Sequence, residues 1–249
     1  MITAGNILAL SLIIFIASVV RGFTGFGLAL VAVPLIQFLM PVTDTAVFIA
    51  MINLIFSILY YHRSKEIVKG QPLGIMALWT GIGVAGGAVI LKFVNPGYIQ
   101  LVWGVLIIFI VIALARGLTL NIRSDRTAMT LSGLFGGVLA GATGIAGPPV
   151  AIILSSIRTP KEKFNAIISI FILFAVSYAL LFYLISGLIM TETLMLALTC
   201  IPALLAGLYT GDRLVSRISQ NAFTTVVYIV LVIMGILTLL KGAKTLFNF

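Results

Sequence analysis

The sequence predicts an all-α integral membrane protein, and three observations lead to this fold class. Of the 249 residues, 61% are hydrophobic and only 8% are charged, whereas a soluble domain carries about a quarter charged residues. Apolar runs long enough to enter a bilayer recur along the whole chain, without the short alternating strands of a membrane β-barrel. The first run, ILALSLIIFIASVV, has neither a basic leader nor an A-x-A cleavage pattern, so we interpret it as a mature membrane segment.

Ten apolar runs define the predicted helices in chain order. They cover residues 3–20, 22–40, 45–61, 73–91, 98–115, 127–140, 144–157, 164–185, 193–211 and 222–240. Polar loops separate most of them, and the sign of the charge in these loops predicts the orientation of the chain.

Lys and Arg residues are distributed very unevenly among the loops. Eleven of the fifteen lie in the loops 62–71, 116–126, 158–163 and 212–221, which hold three, three, three and two. The loops 41–44 and 186–192 hold none. Because cytoplasmic loops are enriched in Lys and Arg, the first group of loops faces the cytoplasm, and both termini lie outside it. The net charge of +9 follows from this pattern and does not indicate a nucleic-acid partner. Lys241 and Lys244, in the outer tail, are the exception.

The two halves of the sequence resemble each other. GFTGFGLALVAV at 22–33 aligns with GATGIAGPPVAI at 141–152, and GVAGG at 83–87 matches GLYTG at 207–211. Matching loops of the two halves fall on opposite sides of the membrane, which predicts two inverted repeats, 1–120 and 121–249, that together form one transport domain. Inverted repeats are common in secondary transporters.

Each repeat begins with two short segments around a glycine-rich tip, followed by three longer segments. Residues 127–158 start and end at cytoplasmic loops, and two helices of about 15 residues reach only about 22 Å each, less than the roughly 30 Å hydrocarbon core. We therefore predict a broken, re-entrant hairpin in each half plus three transmembrane helices. This arrangement corresponds to eight predicted spans, or up to ten short segments, and two full crossings within 3–40 remain an alternative.

The two tips are the candidate binding site. Glycines let a ligand approach the backbone, and the N-terminus of the second arm of each hairpin offers free N–H groups to an anion. Arg21 adds a permanent charge at membrane depth, where a central arginine costs roughly 2.5–3.5 kcal/mol and no carboxylate lies in a comparable segment. The predicted substrate-binding residues are Arg21, Gly22, Thr24, Gly25, Gly27, Asn53, Thr143, Gly144, Gly147 and Pro148.

Several of these residues have a structural interpretation as well. Arg21 would be a cytoplasmic-end residue if 3–20 crosses the membrane completely. Asn53 lies in the middle of its segment and either lines a cavity or makes an interhelical hydrogen bond. We interpret the G-x-x-x-G pairs Gly83/Gly87 and Gly207/Gly211 as helix-packing positions. Cys200, the one cysteine, is predicted to be a small buried residue.

The chain resembles the sulfite exporter TauE/SafE family over nearly its whole length. The resemblance is carried by RGFTGFGLALVAVP and GATGIAGPPVAI, and by GGAV at 86–89 and GLYTGDRL at 207–214. In the second motif, Ala146 and Pro148 stand where family members commonly have glycines. The resemblance implies transport, usually export, of sulfite, sulfonates or related organosulfur anions.

We therefore expect a secondary transporter of small sulfur-containing oxyanions in the bacterial inner membrane. An anion channel and an uptake permease for another anion, such as a carboxylate, remain alternatives. We expect no enzymatic activity, cofactor, metal or nucleic acid, because the chain has one histidine, one cysteine and no acidic pair within a segment. The expected partners are the anionic substrate and the lipid bilayer, and the sequence leaves open whether the chain is a monomer or a homodimer.

Overall fold

The computed structural model describes residues 4–24, 27–117, 122, 124–157, 159–214 and 220–247, and the statements below refer to this part of the chain. It contains eleven α-helices and no strand. The helices are α1 Ala4–Thr24, α2 Gly27–Ile36, α3 Val42–Ile67, α4 Leu73–Phe93, α5 Pro96–Ala115, α6 Asp125–Thr143, α7 Gly147–Ser156, α8 Lys161–Ile185, α9 Thr191–Thr199, α10 Ile201–Leu214 and α11 Gln220–Phe247. The all-helical prediction is therefore confirmed for these residues.

Helix length separates spans from shorter elements. Within the described residues, α1, α3, α4, α5 and α8 contain stretches long and apolar enough to cross a membrane, and the bent pair of α9 and α10 adds a sixth candidate. By contrast, α2 and α7 have 10 residues each, which is about 15 Å of helix. Neither is long enough to cross the roughly 30 Å hydrocarbon core, and each packs against the helix before it, so we call α1–α2 and α6–α7 the two hairpins. The count of eight spans stays a prediction.

The hairpins differ from the expected pair of equal arms. Their first arms, α1 and α6, have 21 and 19 residues, so each is about twice as long as its partner. As a result Arg21 and Gly22 lie in the last turn of α1 rather than in an irregular tip. Apolar surroundings favour this outcome, because every turn that stays helical satisfies its own backbone N–H and C=O groups.

The expected single run 193–211 is broken in the structure. A bend of 40° separates α9 from α10 at Cys200. Pro202, the second residue of α10, explains the break, because proline lacks an N–H donor and its ring clashes with the preceding turn. Cys200 itself is fully buried and free, as predicted, and its Sγ lies 3.8 Å from Ser11 Oγ.

Three close helix pairs form the frame of the molecule: α4 with α6, α5 with α11 and α1 with α10. In each pair the two backbones approach at glycines. A Cβ atom on Gly133 of α6 would lie 2.6 Å from the carbonyl oxygen of Met76, and one on Gly207 of α10 would lie 2.5 Å from that of Phe15. The prediction that the G-x-x-x-G pairs are packing positions is confirmed, because Gly83, Gly87 and Gly211 also face a neighbouring backbone.

The long helix α3 lies at the centre of the fold. It contributes buried residues to both hydrophobic clusters, one shared with α1, α2 and α9 and the other with α6, α7 and α8. It also packs along α8. Each hairpin therefore packs against α3, so the positions of the two tips can be compared along this helix.

Adjacent glycines on α4 provide a matched test of the frame. Gly87→Ala is expected to lower the free energy of unfolding by about 1–3 kcal/mol, because its Cβ would fall 2.8 Å from the backbone N of Ala142 and over-packing carries this cost. Gly86→Ala is the control, since its Cβ meets nothing within 4 Å and alanine favours a helix by up to about 1 kcal/mol. Thermal unfolding of both purified variants measures the difference, and equal melting temperatures would contradict the packing role of Gly87.

Candidate functional site

Arg21 is buried against the middle of α3. Its side chain is only 2% exposed. Nη1 donates a hydrogen bond to Oδ1 of Asn53 at 2.5 Å, and the guanidinium carbon lies 3.4 Å from the centroid of the Phe56 ring. The first contact fixes one edge of the guanidinium, and the second covers one of its faces by a cation–π interaction. Arg21 is therefore held in one orientation by two α3 side chains, one helical turn apart.

The depth of Arg21 follows from its partners. The apolar stretch of α3 runs from Val42 to His62, and Asn53 lies near its middle. Arg21 bonds Asn53 and is almost fully buried, so it is not a solvated residue, although it lies near the end of the apolar stretch Gly5–Gly22 of α1. Asn53 makes an interhelical hydrogen bond, one of its two predicted roles, and the donor is the predicted cation.

The other edge of the Arg21 guanidinium has no partner. Nε and Nη2 are buried and make no hydrogen bond to the residues that the structure describes. The one ion pair found within these residues joins Lys69 to Glu66 in the turn after the apolar stretch of α3, where the Lys69 ammonium lowers the pKa of the Glu66 carboxyl. An unpaired guanidinium is costly in an apolar setting. Its two parallel N–H groups, on Nε and Nη2, are the arrangement that binds a carboxylate, sulfonate or phosphate with two hydrogen bonds.

Three further residues on the same face of α3 belong to this site and were not among the predicted set. Phe56 stacks on Tyr60 with their ring centroids 4.4 Å apart. Ser57 is buried, and its Oγ has no hydrogen-bond partner in the described structure. With Asn53, these residues have i, i+3, i+4 and i+7 spacing, which places them on one face of a helix. This spacing relative to Asn53 is the sequence signal that could have identified them.

The second tip is built around Gly144. Its φ of 77° lies in the left-handed region that glycine adopts without strain, and it ends α6. The Thr143 hydroxyl donates to Leu139 O at 2.7 Å and accepts from the N–H of Ile145 at 3.2 Å, so it serves the turn itself. Tyr183 of α8 donates to the carbonyl oxygen of Gly141 at 2.7 Å. The tip is thus a rigid, internally bonded turn.

The two tips lie at different levels along α3, whereas the sequence predicted a single level. Gly144 lies next to Ala46, whose carbonyl oxygen would be 3.1 Å from a Cβ on that glycine, while Arg21 lies next to Asn53. Seven residues of helix separate the two contacts, about 10 Å. The physical reason is the length of the first arms: α1 and α6 enter from opposite ends and each extends beyond the halfway point.

The remaining predicted residues start the short arms or lie outside the described residues. Gly27 and Gly147 are the first residues of α2 and α7. Pro148 is buried in the first turn of α7, as predicted for a position that needs no N–H donor. Thr24 ends α1, and Gly25 lies outside the part of the chain that the structure describes.

A cavity of about 320 Å³ approaches Arg21 from the end of the molecule that carries the Lys/Arg-rich loops. Its wall contains residues of α1, α3 and α8: Gly22, Tyr60, Ser64, Ile67, Glu162, Asn165, Ala166 and Ser169. Gly22 is the chain neighbour of Arg21, and Tyr60 is stacked on the ring that Arg21 touches. We call this space the inner cavity. Its hydroxyl and amide groups suit a small polar solute.

A second cavity, of about 170 Å³, lies at the opposite end, and we call it the outer cavity. Asn6, Leu10, Leu39, Met40, Pro41, Asp44, Met190, Glu192, Thr193 and Leu196 line it. It has two carboxylates, Asp44 and Glu192, whereas the inner cavity has one, Glu162. Leu10, Ile14, Ala17 and Arg21 follow one another along one face of α1, and the first three are fully buried. Apolar packing therefore separates the outer cavity from Arg21.

The comparisons with known proteins agree with this picture. The family described as sulfite exporter TauE/SafE matches residues 10–238, which is nearly the whole chain and includes both hairpins. Neither the curated proteins nor the solved structures contain a match to this chain.

The uncompensated charge makes a prediction about stability. Arg21→Met is expected to raise the free energy of unfolding by about 1 kcal/mol. It removes a buried charge whose insertion costs roughly 2.5–3.5 kcal/mol, but it also leaves the buried Asn53 acceptor without its donor, which costs about 1–3 kcal/mol. Arg116→Met is the control, since Arg116 is exposed in the turn after α5 and should change little. Chemical or thermal unfolding in the same detergent gives both values. A less stable Arg21→Met protein would mean that the contacts with Asn53 and Phe56 already compensate the charge.

Proposed function

Because the chain belongs to the sulfite exporter TauE/SafE family, we propose that it is a secondary transporter that exports small sulfur-containing oxyanions, such as sulfite and sulfonates including sulfoacetate. The family is one of membrane transporters, which is consistent with the expectation that the chain is not an enzyme. We further propose that transport proceeds by alternating access at the interface between two inverted repeats.

The observation that carries this proposal is the free edge of Arg21. Nε and Nη2 are buried and unpartnered, and the orientation of their two N–H groups is fixed from the other edge by Asn53. A sulfite or sulfonate group presents two oxygens in the plane of this edge, so both N–H groups are satisfied at once. Ser57 supplies a further buried hydroxyl one turn along α3.

Charge balance favours an anionic rather than a neutral substrate. The guanidinium has no carboxylate partner in the described part of the chain, so a bound anion neutralises it and returns part of the burial cost. The same reasoning disfavours metal cations and protonated amines at this position. A membrane potential of 100 mV, negative inside, contributes about 2.3 kcal/mol per charge and drives an anion outward.

The helix contacts support the two-repeat arrangement that alternating access requires. If α1 to α5 are matched in order with α6, α7, α8, the bent pair α9–α10 and α11, then the contact of α1 with α10 corresponds to that of α6 with α4. The pairs α3–α8 and α5–α11 correspond to themselves under the same exchange. A two-fold relation between the halves gives the protein two equivalent ways to pack, which is how inverted repeats exchange access.

The cavities support an inward-facing state of this cycle. The inner cavity reaches Gly22, beside Arg21, whereas buried apolar side chains of α1 separate Arg21 from the outer cavity. Substrate would approach through the inner cavity. The positive charge of the Lys/Arg-rich loops would concentrate an anionic solute there. The Phe56–Tyr60 ring pair lies between this cavity and the guanidinium and would move when substrate binds.

Ligand-induced stabilisation tests the proposed binding site. Sulfite or sulfoacetate at about 100 times its dissociation constant should raise the free energy of unfolding of the wild type by about 2.7 kcal/mol, and sulfate and simple carboxylates less. Arg21→Lys is the sharpest variant, because it keeps the charge but loses the two parallel N–H groups. Both Arg21→Lys and Arg21→Met should lose most of the shift.

The controls of this experiment test the role of Arg21 separately from the identity of the substrate. Arg116→Met removes an exposed cation and should respond like the wild type. A full response of Arg21→Met would refute the role of Arg21. A response to carboxylates alone would leave the Arg21 site intact but overturn the sulfur oxyanion as substrate. In proteoliposomes, flux that rises linearly with concentration and never saturates would indicate a channel instead of a transporter.

Accessibility of introduced cysteines tests the orientation and the inward-facing state. The native Cys200 is fully buried, so the wild type gives a low background with a membrane-impermeant maleimide. Asn165→Cys, in the inner cavity, should react from the cytoplasmic side, and Met190→Cys, in the outer cavity, should react from the other side. Sulfoacetate, which does not react with maleimide, should slow the reaction at position 165 only. Labelling of both positions from one side would overturn the orientation.

A further inference from the structure

We propose that a groove where α2, α5 and α11 meet binds the phosphoglycerol headgroup of an anionic phospholipid. The groove has a volume of about 350 Å³ and is separate from the inner cavity. Its walls are formed by Gln37, Phe38, Leu39, Met40, Pro41, Val42, Thr43, Pro96, Gln100, Lys241 and Thr245. This site is independent of the proposed transport function and of Arg21.

The cationic group of the groove is Lys241 of α11. Its Nζ donates a hydrogen bond to the carbonyl oxygen of Gln37, which follows the last residue of α2, and lies 5.0 Å from the centre of the Phe38 ring. An ammonium has three donors, so two remain for a ligand in the groove. Lys241 is half-buried, and no carboxylate is among the residues that line the groove.

Two buried glutamines give the groove a polar wall. Gln37 and Gln100 are 2% and 3% exposed. Thr245 donates to Oε1 of Gln100 at 3.4 Å, whereas Oε1 of Gln37 has no partner within the described structure. A buried acceptor without a donor costs free energy, so a ligand that carries hydroxyl donors is favoured over one that carries only acceptors.

The level of the groove identifies the source of the ligand. The end of α2, the start of α5 and the last turns of α11 meet there, and membrane helices end at the depth of the lipid headgroups. Large apolar side chains at this level are exposed, among them Phe38 at 52% and Tyr98 at 58%, as expected beside lipid tails. A phosphate placed at Lys241 and glycerol hydroxyls placed at Gln37 satisfy both polar groups at once.

This assignment also explains an irregularity of the sequence. Lys241 and Lys244 lie at the end of the molecule that is otherwise poor in Lys and Arg, against the usual charge pattern. Lys241 lies in the groove, whereas Lys244, three residues further on α11, is exposed. The structure therefore provides a control residue of the same charge on the same helix.

The test compares lipid-dependent stability in detergent micelles that contain phosphatidylglycerol or phosphatidylcholine. Phosphatidylglycerol should raise the melting temperature of the wild type and of Lys244→Gln by about 3 °C more than phosphatidylcholine does. Lys241→Gln should lose this difference. Because the two lipids are compared within each variant, a general loss of stability in Lys241→Gln cancels.

Two further experiments test which part of the headgroup is recognised and whether the ligand must be a lipid. Phosphatidylmethanol keeps the phosphate but lacks the hydroxyls, so the wild type should prefer phosphatidylglycerol to it and Gln37→Leu should not. Soluble glycerol phosphate should have no effect at millimolar concentration. Equal lipid responses of Lys241→Gln and Lys244→Gln would overturn the site, and a Lys241-dependent response to soluble glycerol phosphate would overturn the lipid as its occupant.

Discussion

The contact between Arg21 and the middle of α3 is the constraint around which the rest of the molecule is arranged. A guanidinium that is 2% exposed must be oriented by the protein itself, since water does not reach it. Asn53 and Phe56 do this from one helix, by a hydrogen bond and a cation–π contact. This arrangement uses one edge and one face of the cation and leaves the other edge without a partner in the described structure. In the proposed function a bound anion offsets the burial cost of this charge, so the same side chain would contribute to both stability and transport.

The frame that holds Arg21 in place is made by close backbone contacts rather than by side-chain interlocking. In an apolar solvent the hydrophobic effect does not drive helices together, so close van der Waals approach at small residues takes its place. The glycines of α4 and α6, and Gly207 and Gly211 of α10 against α1, have this role. Each first arm of a hairpin thus packs closely on one neighbouring helix, α1 on α10 and α6 on α4, while the short arms α2 and α7 begin at glycines.

Electrostatic asymmetry gives the two ends of the molecule different properties. The residues that line the outer cavity include two carboxylates, Asp44 and Glu192, and those that line the inner cavity include one, Glu162. The loops rich in Lys and Arg, which are predicted to lie on the side of the inner cavity, add positive charge there, and positive charge raises the local concentration of anions. Buried apolar side chains of α1 lie between the outer cavity and Arg21, which fits the proposal that helix movement accompanies transport.

Much of this architecture could be predicted from local sequence patterns, and the candidate site could be predicted in part. Composition gave the membrane class, and the glycine-rich motifs located both hairpins. The tip of the second hairpin and the first-turn prolines of α7 were correctly located, because turn chemistry acts over a few residues. The break at Cys200 was missed although Pro202 was visible, since hydropathy alone treats the two flanking helices as one run.

The sequence by itself determined that Arg21 is a charge without an acidic partner in a membrane segment, because charge and hydropathy are properties of residue types. Only the tertiary structure decided which edge of the guanidinium is free and that the Phe56 ring, with Tyr60 stacked on it, covers one of its faces. It also decided that the two tips lie about 10 Å apart along α3, where one level had been expected. The physical reason is that these features depend on how far α1 and α6 extend before they turn, and on which faces of separate helices meet. Packing between distant segments sets both, and neither is encoded in any short stretch of the chain.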